Sequence, residues 1–216
     1  MLVRDVMRTA VTTVDPGATV REAVRLAAAR GIRHLPVTED GVLVGIVSDR
    51  DLKRALAPEA AGRVLRALDE LPDRVTVGDV MTRRVVTIGP GFAVEDAARV
   101  MVRDRISALP VTEGGRLIGI VTETDLLVLL VRALGALEPS SRLEVRLGSR
   151  PRALGEVIAA IEATGTTVSS VMTLRAPDGG LEAVLRVASI DPRPAIAAVE
   201  ARGYRVAAPE RVGVRT

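Results

Sequence analysis

The chain has 216 residues, a formal net charge of +3 and 48% hydrophobic residues, enough to fill the core of one large or two modest domains. With no cysteine, disulfides and thiolate metal sites are excluded, and with His34 as the single histidine a histidine-based metal site or a Ser-His triad has almost nothing to work with. The near-balanced charge and a pair of aromatics, Phe92 and Tyr204, argue against nucleic acid, so a bound base has to lie between aliphatic side chains.

Residues 3–52 return as 77–126 at a constant offset of 74, with about half of the pairs identical, which marks an internal duplication. Two copies of one unit give two related surfaces that can face each other, an arrangement suited to sensing. The repeat begins almost at Met1 and leaves no space for a signal peptide, which predicts a cytoplasmic protein. In each copy a short β-rich run, Thr12-Thr13-Val14 or Val86-Thr87-Ile88, ends at a Pro-Gly turn and gives way to an amphipathic helix. The apolar face of that helix is Val20, Ala23, Val24, Ala27 and Ala28 in the first copy and Val94, Ala97, Ala98, Met101 and Val102 in the second.

Leu35-Pro36-Val37 and Leu109-Pro110-Val111 come next. Each is followed by a glycine-bearing turn, Asp40-Gly41 or Gly114-Gly115, and a second apolar run, so each copy is predicted to contain a β-hairpin. Ser48 and Thr122 end those runs, each with an aspartate three residues on, and open a further helix. The predicted unit is β-α-β-β-α. A connecting helix is predicted over 58–71, with a break at Pro72-Asp73. The apolar run 126–137, interrupted by Arg132, is too short to span a membrane and reads as a buried helix.

After a linker at Glu138-Pro139-Ser140-Ser141 the pattern changes. Strands are predicted at 143–147, 166–174, 181–189 and 204–207. One helix starts near Pro151 and ends at Gly165, and another covers 192–202. The order β-α-β-β-α-β is that of a ferredoxin-like sandwich, and the fold class of the whole chain is α+β.

The motif richest in chemistry is Gly45-Ile46-Val47-Ser48-Asp49-Arg50-Asp51, with its partner Gly119-Ile120-Val121-Thr122-Glu123-Thr124-Asp125. A strand runs into a helix whose first turn offers free N–H groups and a hydroxyl to a phosphate, and a carboxylate able to accept from ribose hydroxyls. The same Ser/Thr-x-x-Asp spacing also describes a capping box, which contributes about 0.5–2 kcal/mol and binds nothing.

Gly-aliphatic-aliphatic-Ser/Thr-x-x-Asp, preceded by Leu-Pro-Val and an upstream Asp-Val-Met with Pro-Gly, resembles the CBS domain, and every element occurs twice in order. The resemblance covers residues 3 to about 130. It implies a face-to-face pair that dimerises and binds adenosine-containing ligands in the clefts between repeats, with Ser48 and Thr122 near phosphate and Asp51 and Asp125 on the ribose. By the same resemblance Val11, Thr12, Ile32, Arg33, His34 and Pro36 of the first copy, and Val85, Val86, Ile106, Ser107, Ala108 and Pro110 of the second, enclose the base. Arg50 and Thr124 flank the helix starts. Arg33, His34 and Arg50 are replaced by Ser107, Ala108 and Thr124, so the cleft using Asp51 is expected to prefer more highly phosphorylated ligands. His34 also reads as a structural histidine, Arg50 as a solvated helix residue, and Arg83-Arg84 more readily as a solvated edge than as a cleft-facing pair.

The C-terminal part resembles an ACT domain, a regulatory module that pairs side by side and binds amino acids. Its usual glycine before the first helix is Arg152 here, which leaves a purely dimerising role open. The arrangement resembles the acetoin utilization protein B group of bacteria. The expected organisation is CBS repeat 1 at 1–57, a connecting helix and linker at 58–76, CBS repeat 2 at 77–137 and an ACT-like domain at 142–216. The expected function is a non-catalytic cytoplasmic regulator. It has no obligatory cofactor, takes AMP, ADP or ATP as regulatory ligand, forms a homodimer and acts on a metabolic enzyme in acetoin or acetyl-CoA metabolism. A dimeric scaffold with vestigial sites and a nucleotide-processing enzyme are the competing readings, the latter without a credible nucleophile or metal cluster.

Overall fold

The computed structural model describes residues 1–55 and 75–207. The predicted connecting helix over 58–71 and the break at Pro72-Asp73 lie outside the described residues. The chain divides into two compact units, Met1–Leu127 and Val128–Thr216.

In the first unit the first copy forms α1 (Val20–Arg30), β1 (His34–Glu39), β2 (Val42–Ser48) and α2 (Asp49–Ala55). The second copy forms a short α3 (Val77–Val80), α4 (Val94–Asp104), β3 (Ala108–Glu113), β4 (Arg116–Thr122) and α5 (Glu123–Ala133), a helix that starts in the first unit and ends in the second. Helix α1 begins where Thr19 and Glu22 cap each other, the Glu22 N–H donating to Thr19 Oγ1 at 3.2 Å and the Thr19 N–H to Glu22 Oε2 at 2.8 Å. It ends on Gly31 in the left-handed region, φ +61°. Val20, Ala23 and Ala27 are buried, as are Val94, Ala97 and Met101. The last predicted face positions, Ala28 and Val102, are instead exposed, Val102 by 80%. At about 100° per residue an i+8 position has rotated roughly 90° off the centre of the i, i+3, i+4, i+7 stripe.

Both hairpins turn on two successive residues of positive φ, Asp40 and Gly41 (51° and 80°) and Gly114 and Gly115 (57° and 81°), the geometry that joins twisted strands in two residues. Leu35 lies opposite Val47, and Leu109 opposite Val121, all four buried. The four strands make one sheet in the order β1-β2-β4-β3.

The runs at Thr12–Val14 and Val86–Ile88 do not form strands. Each pairs at one residue, Val14 with Val37 and Ile88 with Val111, in parallel. The Val14 N–H donates to Pro36 O at 3.1 Å and the Thr38 N–H to Val14 O at 3.0 Å. Extending this ladder needs an N–H from Pro36 on one side and from Pro16 on the other, and proline has none. Pro110 and Pro90 impose the same limit on the second copy.

The two cores are closed by exchange. Val77 and Met81, from the start of the second copy, are buried in the core of the first, while Val3 is buried in the core of the second with Val6 and Met7 packed against it. Helix α5 is not the buried helix expected. It has no buried residue, only Leu126 packs on the second core, and Leu127 and Leu130 are 59% and 50% exposed. Val3, Val6 and Met7 already supply that core from the other end of the unit.

The second unit holds β5 (Ser141–Gly148), α6 (Ala153–Glu162), β6 (Val168–Arg175), β7 (Leu181–Val187), α7 (Arg193–Glu200) and β8 (Arg205–Ala207). All pairings are antiparallel in the order β6-β7-β5-β8, the ferredoxin-like arrangement. Leu143, Val145, Val157, Ile161, Leu185 and Val199 form its buried centre. No helix among the described residues is long and apolar enough to cross a membrane, and no group of acidic or histidine side chains among them suits a metal ion.

Candidate functional site

Strand β2 runs directly into α2, and the junction is held by reciprocal hydrogen bonds. The Ser48 N–H and hydroxyl donate to Asp51 Oδ2 at 3.0 and 2.6 Å, and the Asp51 N–H returns to Ser48 Oγ at 3.2 Å. At the β4–α5 junction Thr122 and Asp125 do the same, at 2.9, 2.6 and 3.4 Å. The capping box is therefore formed in both copies, and one oxygen of each carboxylate is committed to it.

Each junction faces the other copy. One cavity, about 350 Å³, combines Ser48, Arg50 and Asp51 of the first copy with Val85, Val86, Ile106, Ser107 and Ala108 of the second. The other, about 230 Å³, combines Thr122 and Thr124 of the second copy with Val11, Thr12, Ile32 and Arg33 of the first. His34 borders both. The sequence-based grouping, in which Arg33, His34 and Arg50 share one cleft, is thus corrected. Arg33 belongs to the opposite cavity, its Nη2 3.5 Å from Thr124 Oγ1. Pro36 and Pro110 line neither cavity; both are buried, and their carbonyls accept the Val14 and Ile88 N–H groups.

The exchange of N-terminal segments explains the crossing. Arg8 pairs with Ile120 through two backbone hydrogen bonds, and Thr82 pairs with Ile46 in the same way, so each copy's leading segment lies beside the other copy's junction. This brings in Arg54 and Arg105, which the sequence did not single out and which join Arg50 and Arg84 around the Asp51 cavity, and Arg8, which joins Arg33 at the other. The visible hint was the Arg83-Arg84 pair, which divides: Arg83 donates to Gly78 O at 2.8 Å, while Arg84 lines the cavity.

His34 is biased toward its neutral form. Burial, and then the Arg33 charge, push its pKa below the ordinary histidine value, against the opposing pull of Asp49, Asp51 and Glu123. Its Nε2 shares a 3.0 Å hydrogen bond with Ser107 Oγ, so the ring forms part of the wall between the cavities.

Arg105 holds the position that Gly31 fills in the first copy, at φ +55° where a side chain is strained. Replacing it with glycine is expected to stabilise the fold by up to about 1 kcal/mol, raising Tm by roughly 2–4 °C. The same change removes a cation from the Asp51 cavity, so an anionic ligand should bind more weakly there. Melting curves and titration of one variant check both signs.

The CBS domain family model matches residues 3–58 and 77–132. A putative acetoin utilization protein (AcuB) from Vibrio cholerae is 28% identical, with a TM-score of 0.53, over 63% of this chain and 95% of its own. The CBS domain pair of protein MJ0100, solved with 5'-methylthioadenosine and S-adenosyl-L-methionine, is 30% identical with a TM-score of 0.51, covering 60% and 95% of the two chains. CBSX2, solved with AMP, is 29% identical with a TM-score of 0.51, covering 61% and 96%.

Proposed function

This chain belongs to the CBS domain family, and we propose that it is a non-catalytic regulatory protein that binds adenosine-containing nucleotides in the two clefts between its repeats. One observation carries the reading. Each cleft sets a helix start bearing a hydroxyl from one copy against a short apolar segment and loop from the other; Asp51 lines its cleft directly, while Asp125 lies behind Arg8 at the other. Phosphate suits the helix start, ribose hydroxyls suit the carboxylate, and the base suits aliphatic residues such as Val85, Val86 and Ile106. The complexes of MJ0100 and CBSX2 support an adenosine class of ligand. Four arginines around the Asp51 cleft, against two at the other, favour ADP or ATP over AMP there.

Binding is read out through a homodimer and the C-terminal ACT-like domain, in a cytoplasmic protein that adjusts a metabolic enzyme of acetoin or acetyl-CoA metabolism. The exposed Leu127 and Leu130 of α5 and the β-α-β-β-α-β order of the second unit support this part. Arg152 in place of glycine before α6 favours dimerisation over amino-acid binding as the role of that unit.

Calorimetric titration with AMP, ADP, ATP, S-adenosylmethionine and NAD tests the reading. Binding below the millimolar range is expected, with ATP tighter than AMP in the cleft abolished by Asp51→Ala. Absence of any such binding overturns it. A second reading, a scaffold with vestigial clefts, draws on the fully formed caps. It requires melting temperatures that no adenosine ligand moves, because a ligand bound to the folded state raises stability.

A further inference from the structure

The two ribose-facing carboxylates differ in what they have left to give. A carboxylate offers about four acceptor positions. At Asp125 all are taken: Oδ2 accepts from the Thr122 N–H and hydroxyl, and Oδ1 accepts from Arg8 Nε at 2.9 Å and Nη2 at 2.8 Å. Asp51 accepts through Oδ2 alone, and among the described residues nothing donates to its Oδ1. The difference comes from one position. Arg8 and its counterpart Thr82 are each anchored by a two-bond backbone bridge next to the opposite junction, but only arginine is long enough to reach the carboxylate. The cavities reflect this: Asp51 lines its cleft directly, whereas Arg8, not Asp125, lines the other. The Asp125 side chain is 12% exposed and that of Arg8 58% exposed.

We infer that Arg8 sets the selectivity of the Asp125 cleft, holding its ribose acceptor closed against uncharged nucleosides and releasing it to ligands that carry a phosphate. This rests on the nucleotide reading of the clefts. A ribose hydroxyl cannot donate to Asp125 until the guanidinium leaves Oδ1. A neutral nucleoside gives Arg8 nothing in exchange except water. A nucleotide gives it a phosphate, which a guanidinium binds as well as it binds a carboxylate, through paired N–H groups. Among the described residues the Asp51 cleft has no such gate, so it accepts either class.

The test compares adenosine with AMP at each cleft in isolation. In an Asp51→Asn background, Arg8→Thr is expected to tighten adenosine about fivefold, the scale of a half-exposed ion pair, without tightening AMP, so that the preference for AMP collapses. In an Asp125→Asn background, the reciprocal Thr82→Arg is expected to weaken adenosine about fivefold; Thr82 is exposed, so the longer side chain has room. The reciprocal variant also keeps the question answerable should Arg8→Thr fail to fold. An AMP-to-adenosine ratio that moves in neither variant overturns the gate alone. Parents that bind neither ligand overturn the nucleotide reading and the gate with it.

Discussion

Replacing Asp51 with alanine is expected to weaken AMP, ADP and ATP at its cleft tenfold or more. The open Oδ1 of this carboxylate is the acceptor available to vicinal ribose hydroxyls, and a hydrogen bond to a charged group contributes about 1.5–3 kcal/mol. Since 1.4 kcal/mol is a factor of ten, even the lower figure gives a loss that titration resolves. The side chain has a second role that the experiment must separate. Asp51 Oδ2 accepts from both the N–H and hydroxyl of Ser48, so alanine also removes the reciprocal cap of α2 and costs about 0.5–2 kcal/mol of stability. Asp51→Asn keeps an oxygen acceptor of similar size but loses the charge, so it should retain most of the stability while losing most of the affinity. Asp125→Ala should likewise remove the ribose contact of its own cleft, with a smaller net loss because that contact first has to displace Arg8. Equal losses for all three ligands in both alanine variants would show that the clefts are equivalent and that the arginine asymmetry has no effect.

Much of the fold is legible in the sequence because it rests on local rules. The 3.6-residue period gives α1 and α4, paired left-handed turn residues give both hairpins, and Ser/Thr-x-x-Asp gives the starts of α2 and α5. What is not legible is which copy touches which. The offset of 74 says that Arg33 and Ser107 are equivalent; it carries no information on whether Arg33 lies beside Asp51 or beside Thr124. The exchange of leading segments decides that, and through it Arg8 reaches Asp125 although the two are 117 residues apart in sequence. Burial likewise pushes the His34 pKa down, a shift its identity does not reveal. The same non-local closing of the core leaves α5 exposed, where its apolar run alone reads as buried.

The reason Asp-Val-Met and Gly-Ile-Val travel together in each copy becomes physical once the exchange is known, and it yields the second large effect. Met7 of the first copy lies on Gly119 of the second, and Met81 on Gly45. A Cβ added at Gly119 would stand 2.6 Å from Met7 Sδ, 3.0 Å from its Cγ and 3.2 Å from Arg8 O. The sulfur can move, but the carbonyl belongs to the backbone bridge with Ile120 and cannot move without breaking it. Gly119→Ala is therefore expected to destabilise by about 1–3 kcal/mol, the usual cost of overpacking, and Tm should fall by roughly 2–4 °C per kcal/mol. Met7→Ala removes the two closest atoms and leaves the Arg8 carbonyl, which at 3.2 Å is still tighter than ordinary contact, so only part of the cost is relieved. The double variant should then be more stable than the sum of the single changes predicts, by about 0.5–3 kcal/mol. Strict additivity would mean that the close approach is not what requires glycine. The clash falls at the residue before Arg8 as well as on Arg8 itself, so Gly119→Ala should also shift the guanidinium from Asp125 and relax the AMP preference of that cleft, whereas Gly45→Ala, beside Thr82, should destabilise without altering it.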